Sequence, residues 1–357
     1  MIDGNKLITN SLYRKLVNNI LDKNLPWENL RNKTIVIAGA SGLLGSCLID
    51  TLSLLQTQTN VSFNIIALGR NIEKLESRFN YNNNHLSFIK QDVIEPICNE
   101  LYKIKPDYIF HLASNTHPVD YAKKPIETLL ANIQGTKNLL DYATEQKNNL
   151  FIYASSVEIY GENKNDIEKF DEKYCGYIDC NTLRACYPEG KRAGEALCQA
   201  YRTENNLKIV IPRFCRLYGP TMLMSDTKAL SQFIKNSIKN ENIVLKSEGN
   251  QFYSYLDVFD AVSALLYCLF FGNDGEAYNI SDPASDITLK DLASLLAEKS
   301  NTKVIFELPN ETEKAGFSKA TKAILNSEKL NKLGWTAQLN IAEGLEYTLS
   351  ILKEFQE

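Results

Sequence analysis

Tyr187 and Lys191 stand four residues apart in Tyr187-Pro188-Glu189-Gly190-Lys191, at the start of a helical segment. Residues at that spacing share one face of a helix. A phenol is a weak base near neutral pH, with an unperturbed pKa of about 10. An ammonium group beside it favours the phenolate and lowers that value. The pair is then suited to take a proton from a hydroxyl or return it, and the lysine is also suited to hold a ribose. The spacing alone is common by chance. Upstream, Ser155-Ser156-Val157-Glu158-Ile159-Tyr160-Gly161 comes after a short apolar run. A hydroxyl at Ser156 would bond a substrate oxygen while Tyr187 moves the proton.

A third feature supplies the redox partner. Gly39-Ala40-Ser41-Gly42-Leu43-Leu44-Gly45 lies between an apolar run and a helical segment. In such a loop the first glycine permits a sharp turn. The second lets the backbone approach a pyrophosphate, and the third lets helix and strand pack closely. The helix N-terminus then offers free N–H groups and a positive dipole end. The loop therefore predicts a bound nicotinamide dinucleotide, the hydride carrier that matches a Tyr–Lys–Ser proton device. The second strand ends Ala67-Leu68-Gly69-Arg70-Asn71, without the acid that would hold the ribose 2′-hydroxyl of NAD. Arg70 fits a 2′-phosphate, which favours NADP, or stacking on adenine, which leaves NAD open; a plain surface arginine is the third reading. Asp92, ending the third strand, is placed to accept from the adenine amino group.

These residues need a scaffold that brings them to one edge. Apolar runs at 34–38, 64–68, 86–89, 108–112, 151–155 and 209–212 alternate with helical patterns at 43–55, 72–79, 126–144 and 190–203. That alternation predicts an α/β fold, a Rossmann-type doubly wound parallel sheet, with ligands at the strand ends. Helical periodicity at 7–22 marks an N-terminal extension over residues 1–32. Residues 33–212 form the dinucleotide-binding domain, to which the chain returns around 249–271. Residues 213–357 form mainly a smaller α/β substrate region. There, helices are expected at 227–240, 258–271, 288–299 and 341–354, and strands at 243–246, 277–280 and 303–306.

Composition narrows the class. The 357 residues carry 39 basic and 43 acidic side chains, a net charge of −4, which argues against a nucleic-acid surface. No run of eighteen apolar residues suggests a membrane span, and the N-terminus lacks a signal core, so a cytoplasmic protein is expected. The eight cysteines form no C-x-x-C and read as free thiols. The three histidines, His85, His111 and His117, have no ligand spacing, so no metal is expected.

Together these segments resemble the extended short-chain dehydrogenases/reductases that act as nucleotide-sugar epimerases, dehydratases and decarboxylases. The resemblance rests on the glycine loop, Asp92, His111-Leu112-Ala113-Ser114, Asn132 within Leu130-Ala131-Asn132-Ile133-Gln134-Gly135-Thr136, Ser155 to Gly161, Tyr187 to Lys191, and Arg213-Phe214-Cys215-Arg216-Leu217-Tyr218-Gly219-Pro220. Arg184-Ala185-Cys186-Tyr187-Pro188-Glu189-Gly190-Lys191-Arg192 is most similar to UDP-glucuronate decarboxylases. The resemblance implies NAD(P) on Gly39, Ser41, Gly42, Leu43, Leu44, Gly45, Arg70, Asp92, Val93, Leu112, Ala113, Ser114, Asn132, Tyr187 and Lys191. It implies a nucleotide sugar on Ser156, Arg213, Arg216 and Tyr253, and Ser156, Glu158, Tyr187 and Lys191 as the catalytic group. In such enzymes the tyrosine deprotonates a sugar hydroxyl, usually at C4, hydride leaves to the nicotinamide, and the keto sugar is then transformed. The resemblance also implies a homodimer built on helices and, by analogy alone, a role in surface polysaccharide synthesis.

Three departures bear on the outcome. Val157 stands where 4,6-dehydratases carry an acid, and valine cannot donate a proton. Tyr253 stands where an arginine usually binds the diphosphate or a sugar carboxylate, and a tyrosine lacks that bidentate charge. Arg216 replaces an asparagine; it either restores the lost charge from another direction or makes a structural ion pair. With Arg70, these keep two alternatives open: an NADPH-dependent reductase of a nucleotide-linked keto sugar or open-chain ketose, and a non-catalytic dinucleotide sensor.

Overall fold

The structure is a computed structural model and describes residues 3–164, 166–311 and 320–355. The chain opens with helices α1 (Gly4–Thr9) and α2 (Ser11–Leu21). The single helix expected at 7–22 is broken because Asn10 leaves the helical conformation, and its side chain accepts from the Tyr13 N–H at 2.9 Å to cap α2. Next come β1 (Thr34–Ala38), α3 (Leu43–Gln58), β2 (Asn64–Gly69), α4 (Ile72–Arg78), β3 (Leu86–Lys90), α5 (Asn99–Tyr102) and β4 (Tyr108–His111). After β4 come α6 (Pro118–Lys123), α7 (Pro125–Glu145), β5 (Leu150–Tyr153), β6 (Ser155–Ser156), α8 (Cys186–Asn205), β7 (Ile209–Phe214) and β8 (Arg216–Tyr218). The remainder contains α9 (Ala229–Ile238), β9 (Ile243–Leu245), β10 (Phe252–Asp257), α10 (Val258–Phe271), β11 (Ala277–Ile280), β12 (Asp286–Thr288), α11 (Leu289–Lys299), β13 (Val304–Phe306), β14 (Lys322–Ala323), α12 (Glu328–Asn331) and α13 (Ile341–Lys353).

The large sheet runs β11-β7-β5-β4-β1-β2-β3, all pairs parallel. Strand order reverses between β1 and β4, which is where a doubly wound sheet opens its ligand crevice. The strands read as continuous apolar runs because both faces are covered. On one face α3, α10 and α2 bury Leu48, Leu52, Val262, Leu265 and Val17; on the other α7 and α8 bury Leu139, Tyr142 and Cys198. Residues 277–280, expected in the C-terminal region, instead form the outer strand of this sheet, pairing Ala277 with Ile211 and Ile280 with Phe214 of β7. The expected strand at 151–155 also divides. β5 ends at Tyr153 and the chain restarts as β6, pairing Ser155 with Arg213 and Ser156 with Phe214. Among the described residues no helix is long and apolar enough to cross a membrane.

The N-terminal helices are fastened to the sheet by a buried charge. Asp50 on α3 is fully buried and takes both Arg78 of α4 (2.5 and 3.1 Å) and the hydroxyls of Tyr13 (2.6 Å) and Tyr81 (2.9 Å). Removing one partner of a buried pair leaves an uncompensated charge, costing about 3–5 kcal/mol. Arg78→Leu is therefore expected to lower stability by that amount in urea unfolding. A loss under about 1 kcal/mol would show that the phenols alone suffice to hold Asp50.

Candidate active site

The crevice above β1 and β4 is a cleft of about 750 Å³ that runs from the glycine loop to β9 and β10. Gly39 has φ +84°, and a Cβ there would stand 2.6 Å from the Leu112 carbonyl carbon. A Cβ at Gly45 would stand 2.4 Å from the Gly39 carbonyl oxygen. Only glycine permits this packing. Gly42 opens α3 with no side chain capping it, so the first-turn N–H groups are available to an anion. Gly39, Gly42, Leu43, Leu44 and Gly45 all line the cleft, as do Leu112 and Ser114. A loop that leaves no room for side chains and an uncapped helix start fit a dinucleotide pyrophosphate.

Of the other residues expected at the cofactor, Tyr187 and Lys191 also line the cleft, whereas Ser41, Arg70, Asp92, Val93, Ala113 and Asn132 do not. Ser41 is in the loop, and Ala113 comes directly after Leu112 at the end of β4. Asp92 accepts from the Ile94 N–H at 3.1 Å, turning the chain after β3. Val93 packs against Gly135 of α7. Asn132 donates to the Thr128 carbonyl at 2.8 Å, while its own side-chain oxygen is buried without a partner. Arg70 is exposed and paired with Glu127 of α7 at 2.7 Å. Sequence reasoning missed Glu127, because an ion pair across 57 positions leaves no local pattern.

Tyr187 sits in the first turn of α8, which begins at Cys186, earlier than the expected 190. Pro188 does not prevent this, since a first-turn proline needs no N–H partner. Tyr187 is buried, and burial pushes its phenol up to about 12, opposed by a hydrogen bond from Ser156. Lys191, one turn on, donates to the Ala154 carbonyl at 2.7 Å and lies over the Tyr153 ring. Burial pushes its amine down to about 7. The expected one-way effect, lysine lowering tyrosine, is thus overridden by desolvation of both groups. His111, at the end of β4, is also held neutral, lowered to about 3 by burial.

Opposite Tyr187 lies a charged cluster. Glu158 accepts from Arg184 at 2.6 Å and from Arg216 at 3.2 Å. Burial pushes the Glu158 carboxyl up, but the two guanidinium groups outweigh it and hold it below the usual carboxylate range. Arg184 lies over the Tyr121 ring at 4.6 Å, and Tyr121 stacks on Tyr187 at 5.0 Å. Arg216 lies over the Tyr253 ring at 3.4 Å, bringing positive charge to the position where the arginine was missing. Arg184 stood in the sequence motif without an assigned role, and Tyr121 carried no signal there.

The expectation that Arg213 binds substrate is corrected. Glu195 grips it twice (2.9 and 2.6 Å), and its third nitrogen donates to Tyr160 and the Glu172 carbonyl. Phe214 faces the cleft, so its strand neighbour points the other way. Arg213 cross-links α8, β7 and the segment after β6.

A doubly wound sheet, an uncapped glycine-loop helix and a buried Tyr–Lys pair with Ser156 beside it define a dinucleotide-dependent hydride-transfer enzyme of the short-chain dehydrogenase/reductase type. Residues 35–281 match the NAD dependent epimerase/dehydratase family, and the chain belongs to it. It is 30% identical to UDP-glucuronic acid decarboxylase 1 of Danio rerio over 89% of this chain and 72% of that protein. It is 29% identical to UDP-glucuronic acid decarboxylase 4 of Arabidopsis thaliana over 90% and 68%. In fold it is similar to an epimerase from Methanothermobacter thermautotrophicus (TM-score 0.78, 21% identity, 92% and 94% covered) and to UDP-glucuronic acid 4-epimerase from Bacillus cereus (0.75, 21%, 90% and 99%).

Proposed function

We propose that the protein oxidises a ring carbinol of a nucleotide-activated sugar, at C4, and resolves the keto sugar without abstracting a proton from C5. The observation that carries this is the pairing of a buried Tyr187 and Lys191, with Ser156 hydrogen-bonded to Tyr187, and a Glu158 already held by two arginines. Ser156 orients the sugar oxygen, Tyr187 takes its proton, and Lys191 holds the ribose and compensates charge. When bound, the dinucleotide supplies the hydride acceptor. Elimination of water needs an acid at 157 and a base at 158. Val157 is apolar, and a carboxylate stabilised by two guanidinium groups is a poor base. Epimerisation and decarboxylation remain, and both return the cofactor to its starting state.

The test is turnover of a panel of UDP-sugars with catalytic NAD, combined with NMR of the products. Product formation without net change in reduced nicotinamide supports the reading. Stoichiometric consumption of NADPH would replace it with a net reductase. Cofactor choice turns on Arg70. Glu127 supplies a carboxylate at the end of β2 and neutralises Arg70, which favours NAD. Glu127→Gln is expected to improve NADPH binding relative to NADH by about three- to tenfold, the range of an exposed ion pair with a bound phosphate; an unchanged ratio of dissociation constants counts against this role.

A homodimer is part of the same proposal. Ile126 and Leu130 on α7 are large, apolar and exposed, beside α8. Light scattering that gives a monomer would reject it. The product would serve a glycosyltransferase, as activated sugars do, which is compatible with polysaccharide synthesis.

A further inference from the structure

Lys191 is almost completely buried, and an ammonium group without compensation is costly there. It has three N–H donors to place. Its one hydrogen-bond acceptor among the described residues is the Ala154 carbonyl. The titratable groups around it supply no free negative charge. Glu195, one turn on along α8, is bound at both oxygens by Arg213. Cys198, on the same helix, is buried, and burial pushes its thiol up, so it stays neutral. His111 on β4 is held neutral, and Tyr187 keeps its proton. What remains is aromatic. The Lys191 Nζ lies 4.8 Å from the centroid of the Tyr153 ring and 6.0 Å from that of Tyr187. The first distance is well inside the reach of a cation–π contact and the second is at its edge.

We propose that Tyr153 is a positioning residue for hydride transfer: its ring face, in place of a carboxylate, holds the Lys191 ammonium charged and directed at the nicotinamide ribose and Tyr187. This rests on the reading that Lys191 serves the ribose and the tyrosine. The fold fixes the ring for that task. Tyr153 ends β5, fully buried, and pairs with His111 of β4 in the ladder, the two ring centroids 5.5 Å apart. A Cβ at Gly194, three residues beyond Lys191 on α8, would stand 2.1 Å from the Tyr153 hydroxyl oxygen. The glycine is therefore what lets the helix carry Lys191 in over the ring. Because β5 stops at Tyr153, Ala154 falls between strands, and its N–H donates to the His111 carbonyl at 3.1 Å. Its own carbonyl is left to Lys191. Two consecutive residues thus give the ammonium a ring face and an acceptor. A carboxylate in the same place would fix the charge more strongly, but it would also compete with the ribose hydroxyls for the lysine N–H groups. A ring face leaves those donors free.

The experiment compares Tyr153→Phe, Tyr153→Leu and proteins in which Tyr153 is replaced by mono-, di- or trifluorinated phenylalanine. Fluorine draws negative charge from the ring face with little change of size. The readouts are the NADH dissociation constant, by fluorescence titration, and kcat on whichever UDP-sugar is turned over. NADH affinity needs no sugar, so the ring's role is read even where no UDP-sugar reacts. Tyr153→Phe is expected to stay within about threefold of native in both, since the ring face persists. Each added fluorine should weaken NADH binding and lower kcat in step. The loss should reach about ten- to thirtyfold with three fluorines or with leucine, the range of a desolvated cation–π contact. In a Lys191→Met background the whole series should be flat, because the ring acts only through the ammonium. Unfolding midpoints check that each protein is folded, and the fluorinated rings keep the native shape where leucine does not. A flat response to fluorination, or a slope that survives Lys191→Met, would overturn the role of Tyr153 while leaving that of Lys191 standing. If Lys191→Met alone changes neither NADH affinity nor turnover, the role of Lys191 falls and that of Tyr153 falls with it.

Discussion

Replacing Tyr187 with phenylalanine is expected to lower kcat on the true substrate by about 10²–10⁴-fold, the usual contribution of a positioned general acid/base. The change removes one oxygen from a buried ring. Ring stacking on Tyr121 does not need that oxygen, so the unfolding temperature and the affinity for nucleotide sugar should hold. The pH dependence separates a lost proton device from a misplaced substrate. Burial keeps Tyr187 protonated across the ordinary range, its pKa pushed up to about 12. The first half-reaction, sugar oxidation with appearance of reduced nicotinamide, needs the phenolate. Its single-turnover rate should therefore rise with pH in the native protein, because the phenolate fraction rises. In Tyr187→Phe that rise should vanish. Turnover within tenfold of native, or an unchanged pH profile, would assign proton transfer to another group.

The dinucleotide half of the molecule was legible because its signals are local. Parallel strands buried on both faces write unbroken apolar runs, and the glycine loop needs three small residues within seven positions. Tyr187 and Lys191 are one helical turn apart. The sugar half was not legible in the same way. Glu158 and Arg216 are 58 positions apart, and Arg184 and Glu158 are 26 apart, so their meeting depends on how β6, β8 and α8 pack. Arg213 misled because its type suits an anion, while the direction of its side chain is set by strand alternation. The loss of arginine at 253 was visible; that the Arg216 guanidinium lies over the Tyr253 ring required the β8–β10 ladder. Outer strand β11 was misplaced because a short apolar run does not say which sheet it joins. Reading Phe214 as cleft-facing would have turned Arg213 away at once, and that inference needed only the period of two.

Lys191→Met is expected to separate activity from stability, with opposite signs. Lys191 is almost completely buried, and desolvation lowers its amine to about 7 from an ordinary value near 10.5. Between those two values the unfolded chain binds more protons at this position than the folded one. Linkage then makes folding stability rise with pH from about 7 to about 10, as far as this lysine is concerned. Below pH 7 the folded protein must carry a charge in a poor medium, and the full penalty applies. Methionine has a similar reach and no charge, so the variant without ligand should be at least as stable as native at pH 7, and its unfolding midpoint should lose that pH slope. Activity should fall by about 10²-fold or more, since the amine serves the ribose and the charge that develops at Tyr187. A variant that is both inactive and markedly less stable would show Lys191 to be a structural strut through the Ala154 carbonyl. One that keeps native turnover would remove it from the proton device. Lower kcat with undiminished stability, the expected combination, marks a group that is buried at a cost to folding and retained for chemistry.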